Sequence, residues 1–121
     1  MSIIARLTSL LSGAPAMDGY QRISPKEARE RLASEGGCIL LDVRTPGEHR
    51  ARRIAGSLLI PHTAIGQQAP RQLPRKDATV IVYCQSGMRS RQAAMQLLTL
   101  GYTNVYDLGG IMSWPYETVC G

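Results

Sequence analysis

The residues best suited to chemistry lie in a short loop that begins with Cys84 and ends with Arg89. A thiolate is the nucleophilic form of cysteine, and positive charge around the sulfur favours it. Such a loop offers inward-facing backbone N–H groups, the amino end of the next helix and the Arg89 guanidinium. A buried structural cysteine is the alternative, but packing alone would not require Gly87 and two arginines beside the cysteine. The pattern therefore predicts a nucleophilic thiol at Cys84.

The elements on either side of this loop would hold the thiol in place. Residues 79–83 are apolar and rich in β-branched side chains, which predicts a buried strand. Residues 90–100 place alanines and leucines at helical spacing, and Gly101 then ends the predicted helix. Cys84 would thus stand between the carboxyl end of a strand and the amino end of a helix.

The rest of the chain alternates in the same way. Ser24-Pro25-Lys26-Glu27 predicts a helix with Ser24 as its N-cap, and Gly36-Gly37 ends it. The other predicted elements are strands at 20–23, 38–43, 57–60 and 104–108, a helical turn at 48–53 and a loop with some helix at 62–74. Unbroken apolar strands between helices indicate an α/β fold with a mainly parallel sheet. Sites in such sheets form at the carboxyl ends of strands, where both Asp42 and Cys84 lie.

Length, charge and cysteine content restrict the function classes. A chain of 121 residues makes one domain. Its net charge of +5 comes from scattered arginines, without phenylalanine or an RNA-binding aromatic motif, so small anions are better partners than nucleic acid. Three cysteines without framework spacing predict free thiols and a cytoplasmic location. The sequence predicts no cofactor and no metal site.

The first residues differ from the rest of the chain. Residues 1–17 carry an apolar stripe from Ile3 to Leu11 and predict an N-terminal arm or a short amphipathic helix, ahead of a domain at 18–121. Ala14-Pro15-Ala16 faintly resembles a cleavage site, but the apolar segment is short and interrupted for an export signal. It is also too short to span a bilayer, so a membrane is a disfavoured partner.

At near-constant spacing from about Ile23 to Trp114, the sequence resembles a single-domain rhodanese, a thiosulfate sulfurtransferase-like family. The matching motifs are Leu41-Asp42-Val43-Arg44-x-x-x-Glu48, Ile54-x-Gly56-Ser57, Cys84-x-Ser86-Gly87-x-Arg89-Ser90 and Gly101-Tyr102-x-x-Val105-Tyr106-x-Leu108-x-Gly110-Ile111-x-x-Trp114. The resemblance implies a three-layer fold with helices on both faces of a five-stranded, mainly parallel sheet of order 3-2-4-5-1.

The resemblance also implies an activity. Cys84 would attack a donor such as thiosulfate, become a persulfide and pass the outer sulfur to a thiol or cyanide, with a protein thiol as an alternative acceptor. The implied substrate-binding residues are Gln85, Ser86, Gly87, Met88, Arg89 and Ser90, and the supporting residues are Asp42, Arg44 and Glu48. No metal is implied.

This chain departs from the family pattern at a few positions. Arg52-Arg53 replaces the usual glycine-histidine and His49 replaces an aromatic residue, which makes the rim more basic. His49 and His62 are expected at the surface rather than in catalysis. Cys120 is expected to be an incidental thiol, with a role as a second sulfur carrier left open.

Three functions remain under comparison. Dual-specificity cell-cycle phosphatases and arsenate reductases of the same fold have a larger loop, and for the phosphatases the pattern is Cys-x5-Arg. Here Cys84 and Arg89 form Cys-x4-Arg, which suits a single sulfur atom. A non-catalytic, protein-binding rhodanese module typically lacks the cysteine that this chain keeps. Sulfur transfer is the favoured function.

Overall fold

A five-stranded parallel sheet forms the centre of the protein, in a computed structural model that describes residues 20–121. The strands are β1 (Tyr20–Arg22), β2 (Ile39–Asp42), β3 (Leu58–Leu59), β4 (Thr79–Cys84) and β5 (Asn104–Gly110). Their order is β1-β5-β4-β2-β3, and every neighbouring pair is parallel. Read from the other edge this is 3-2-4-5-1, so the predicted topology is confirmed.

Helices cover both faces of the sheet, as predicted. They are α1 (Pro25–Ser34), α2 (Pro46–Ala51), α3 (Ile65–Gln72) and α4 (Met88–Thr99), with short 3-10 helices at His62–Ala64 and Ile111–Ser113. Alternate residues of β4 enter different cores. Val82 and Cys84 pack with residues of α3 and α4, whereas Ile81 and Tyr83 pack with Ala28 of α1. Burial on both faces explains why β4 is an unbroken apolar run.

Helix α3 is the largest difference from the sequence prediction, which treated residues 62–74 mainly as a loop. Pro70 lies inside this helix, and proline normally disfavours helix because it lacks an N–H. Ile65, Ala69 and Leu73 lie four residues apart, and all are buried in the core. The apolar stripe therefore outweighs the local cost of Pro70.

Helix α2 begins earlier than the predicted turn at 48–53. Thr45 is its N-cap: the Thr45 side chain accepts from the Glu48 N–H, and the Glu48 side chain accepts from the Thr45 N–H. Pro46 fills the first helical position, where its missing N–H costs nothing. This capping box fixes the direction in which Glu48 leaves the helix.

The predictions for residues 1–17 lie outside the described residues. Within 20–121, each helix is too short or too polar to cross a bilayer. Near the end of the chain, Arg53 and Val119 form an isolated antiparallel bridge, and the neighbouring Cys120 is exposed. All three cysteines are free thiols.

Candidate active site

Cys84 is the last residue of β4, and its side chain is fully buried at the base of the cysteine loop, residues 84–89. The Gly87 N–H donates to Cys84 Sγ, with nitrogen and sulfur 2.9 Å apart. Gly87 has a φ of 113°, a left-handed conformation that side chains with a Cβ rarely adopt. It is also the N-cap of α4, so the amino end of that helix adjoins the sulfur. The Gly87 N–H and the amino end of α4 therefore place positive dipoles against the sulfur.

The middle of the loop rests on the backbone of Gly110 at the end of β5. A Cβ on Gly110 would lie 2.4 Å from the Gln85 carbonyl oxygen and 2.7 Å from Ser86 Cα. The Met112 N–H also donates to the Gln85 carbonyl, at 3.4 Å. Gly110 therefore lets the loop approach the sheet more closely than any other residue would.

A bulge in β5 brings a buried carboxylate to the far end of the loop. Val82 pairs with Asp107 and Tyr83 with Gly109, so Leu108 is the extra residue. Asp107 accepts hydrogen bonds from the Gly109 N–H at 3.0 Å and from the Tyr20 hydroxyl at 3.0 Å.

Ser90 connects this carboxylate to the loop. Its buried hydroxyl lies 2.8 Å from Asp107 Oδ1 and 3.0 Å from the Gly87 carbonyl oxygen. The Ser90 side chain thus fastens the loop to β5, while Met88 at the loop tip is 75% exposed.

Arg89 reaches from the loop to helix α2. Its two terminal nitrogens contact the two carboxylate oxygens of Glu48, at 2.8 and 3.0 Å. The hydrogen bond from Arg89 lowers the pKa of Glu48 to about 2, and the same pairing raises the pKa of Arg89. The full positive charge expected for the cysteine is therefore shared with a carboxylate. Arg89 still acts electrostatically on Cys84, whose negative charge would stabilise the guanidinium further.

Asp42, at the end of β2, holds a second arginine beside the loop. Its fully buried carboxylate accepts from Arg44 Nε and Nη2, the latter at 2.7 Å. Arg44 Nη1 donates to Gln85 Oε1 at 3.2 Å, so the Gln85 side chain turns toward β2. Arg44 Nη2 also donates to the Arg52 carbonyl, which links the loop to the chain after α2.

The same carboxylate has two partners that the sequence did not assign. The Tyr83 hydroxyl donates to Asp42 Oδ2 at 2.9 Å, and His49 Nδ1 lies 3.0 Å from that oxygen. Burial alone would raise the pKa of Asp42, but hydrogen bonds from Arg44, His49 and Tyr83 hold it below its ordinary value. His49 is therefore half-buried against Asp42 rather than free at the surface as expected.

The predicted site residues lie together around one end of the sheet, and they make different contacts there. Gly87 contacts the sulfur, while Arg89 and Glu48 pair with each other. Ser90 and the Asp42–Arg44 pair support the loop from either side. Among residues 20–121, no three histidine, cysteine or carboxylate side chains are grouped to hold a metal ion.

Asp107 and Tyr83 both lie in strands, and neither was assigned to the site from the sequence. For Asp107 a signal existed, since a carboxylate inside an apolar strand needs partners. Tyr83 carries no such signal, because tyrosine is common in strands.

Comparison with known proteins bears on the family and the fold. A family model for the rhodanese-like domain matches residues 24–116. A sulfurtransferase of Allochromatium vinosum is 38% identical over 93 residues, which cover 76% of this chain and 85% of that protein. The thiosulfate sulfurtransferase GlpE of Pseudomonas paraeruginosa is 34% identical over 110 residues, with coverage of 86% and 96%. A solved structure of a rhodanese with anions from E. coli is 32% identical and has a TM-score of 0.66. The match covers 69% of this chain and 99% of that chain.

Proposed function

Because the chain belongs to the rhodanese-like domain family, as its sequence motifs predict, we propose that it transfers sulfane sulfur through a persulfide on Cys84. Since its relatives are named as sulfurtransferases, the chain is an enzyme of the sulfurtransferase class. The observation that carries the proposal is the hydrogen bond from the Gly87 N–H to Cys84 Sγ. A fixed donor at that position stabilises sulfur that carries negative charge, before and after the transfer.

The proposed first step uses thiosulfate. The Cys84 thiolate attacks the outer sulfur of thiosulfate, an S–S bond to Cys84 forms, and the S–S bond within the donor breaks. Sulfite leaves with the electron pair, and the persulfide keeps one negative charge. Relatives named as thiosulfate sulfurtransferases and a related rhodanese solved with anions support an anionic donor. Arg89 supplies positive charge near that donor.

In the second step a thiolate or cyanide attacks the outer sulfur of the persulfide. The bond between that sulfur and Cys84 Sγ breaks, and Cys84 recovers its thiolate. A protein thiol is an alternative acceptor. The three free thiols support a reducing compartment such as the cytoplasm.

Loop size argues against a phosphatase or an arsenate reductase. The chain has four residues between Cys84 and Arg89, where the phosphatase pattern has five. The Gly87 N–H already contacts the sulfur, and Arg89 pairs with Glu48. A non-catalytic binding module is disfavoured because the cysteine is present and has a hydrogen-bond donor.

Intact mass after incubation with thiosulfate tests the proposal. The wild-type protein should gain the mass of one sulfur atom and form thiocyanate when cyanide is added. Cys84→Ser should do neither, because an alcohol is far too basic to form the anion. Cys120→Ser is the matched control, since it removes an exposed thiol.

Sulfur transfer by the folded Cys84→Ser protein would refute the proposal, and so would faster release of phosphate from aryl phosphates than formation of thiocyanate. A Cys120→Ser protein that takes up sulfur but no longer passes it on would show that Cys84 does not transfer it alone.

A further inference from the structure

A cavity of about 470 Å³ lies beside the cysteine loop. Its walls come from the loop, the end of β5 and the connection between β1 and α1, and they include Arg22, Ser86, Gly87, Met88, Arg91 and Gly109. Sites for small organic ligands usually measure roughly 300–1,000 Å³. The space is therefore large enough for an organic thiol and much larger than a thiosulfate ion needs.

The cavity carries positive charge. Arg22 and Arg91 line it, and within residues 20–121 neither guanidinium forms an ion pair. The carboxylate of Asp107 also faces it but already accepts from Tyr20, Ser90 and Gly109. Burial raises the pKa of Tyr20, and the charges of Arg91 and Arg22 oppose that rise, so both arginines lie near the Tyr20 side chain.

The cavity wall also includes Gly87, whose N–H contacts the reacting sulfur. Gly109 is the link: a Cβ on Gly87 would lie 3.8 Å from Gly109 Cα, and a Cβ on Gly109 would lie 3.5 Å from Arg22 Nη2. Gly87 itself donates to Cys84 Sγ. A ligand held by Arg22 would thus lie against the loop that holds the sulfur.

We propose that this cavity binds the sulfur acceptor, and that the acceptor is a small thiol with carboxylate groups held by Arg22 and Arg91. The inference rests on the proposed function. The acceptor thiolate attacks the outer sulfur of the Cys84 persulfide, an S–S bond to the acceptor forms, and the bond from that sulfur to Cys84 Sγ breaks. Cys84 leaves as the thiolate, and the acceptor becomes a persulfide with no change in total charge.

The experiment isolates this second step. Protein loaded with thiosulfate and freed of excess donor is mixed with mercaptosuccinate or with the neutral thioglycerol, and loss of the persulfide is followed by intact mass. Arg22→Gln/Arg91→Gln should lower the rate with mercaptosuccinate by about tenfold or more, because the carboxylates of the acceptor lose their charged hydrogen-bond donors. The rate with thioglycerol should stay unchanged. Arg71→Gln, at an exposed position on α3 outside the cavity, is the matched control and should affect neither rate.

Each thiol is compared with itself across the variants, so intrinsic thiol reactivity cancels. Equal effects on both thiols, or no effect on either, would overturn the inference. Failure of the persulfide to form would instead count against the proposed function. An NMR titration with succinate tests binding to the cavity separately from sulfur transfer. Succinate should shift the amide resonances of Gly87 and Gly109 in the wild type but not in the double variant. Absence of those shifts in the wild type would also overturn the inference.

Discussion

The contact between Gly110 and the cysteine loop allows a test of how closely activity depends on the loop's backbone position. In Gly110→Ala the new Cβ would meet the Gln85 carbonyl oxygen at 2.4 Å, whereas ordinary contacts begin at 3.4 Å. Since the obstacles are backbone atoms, no side chain can turn away, and the loop must retreat by about 1 Å. The φ of Gly110 is −102°, so alanine adopts the backbone conformation itself without strain.

A displacement of about 1 Å at a reacting group costs roughly 10²-fold in rate. We therefore expect Gly110→Ala to lower kcat/KM for thiocyanate formation by about that factor. The free energy of unfolding should fall by about 1–3 kcal/mol, as for other overpacked positions.

Steady-state thiocyanate formation and urea denaturation measure both effects. Gly66→Ala in α3 is the matched control, because its Cβ would lie 3.5 Å from the flexible Gln96 side chain. That substitution should leave the rate unchanged and raise the free energy of unfolding by about 0.5–1 kcal/mol. A folded Gly110→Ala protein with the wild-type rate would refute the argument that the loop's contact with β5 positions the sulfur.

Two further predictions concern the groups around the loop. Tyr83→Phe removes a donor to buried Asp42 and an acceptor for the Ile54 N–H, so urea denaturation should show about 1–3 kcal/mol less stability. An unchanged value would contradict the role assigned to this hydrogen-bond network. In Glu48→Gln, the free energy of unfolding should fall less than in the wild type as the pH decreases from 4.5 to about 2. Arg89 lowers the pKa of Glu48 from 4.5 to about 2, so this carboxylate stabilises the wild type above pH 4.5 and loses that effect as pH falls toward 2. Denaturation curves that fall in parallel for wild type and variant would contradict it.

Much of the fold could be predicted from the sequence because local signals and burial agree. The strands of the sheet interior are apolar runs, and the capping residue Ser24 marks the start of α1. The start of α2 was within reach of the same reasoning, since Thr45-Pro46-Gly47-Glu48 has the spacing of a capping box. Helix α3 could not be predicted in this way, because Pro70 is a local signal against helix and only tertiary packing overrides it.

The candidate site also contains two kinds of feature: residues that the sequence groups together, and contacts that form only when the chain has folded. The grouping of Cys84, Gly87 and Arg89 could be predicted because the three residues lie close together in one loop. The contacts between elements could not be read this way: Ser90 meets Asp107, and His49 meets Asp42, only after the sheet has formed. A sequence pattern names residue types, whereas these partners depend on strand order and on the bulge in β5.

Arg89 belongs to both groups, because its place in the loop was predicted but its pairing with Glu48 was not. Its charge was expected to favour the Cys84 thiolate, yet both of its terminal nitrogens lie on Glu48. The capping box of α2 directs Glu48 toward the loop, so this pairing is built into the local fold. In the resting site the Gly87 N–H therefore contacts the sulfur directly, whereas the charge of Arg89 is paired with Glu48. In the proposed mechanism, a dianionic donor competes with Glu48 for the guanidinium, and the positive charge of Arg89 then stabilises negative charge on the departing sulfite.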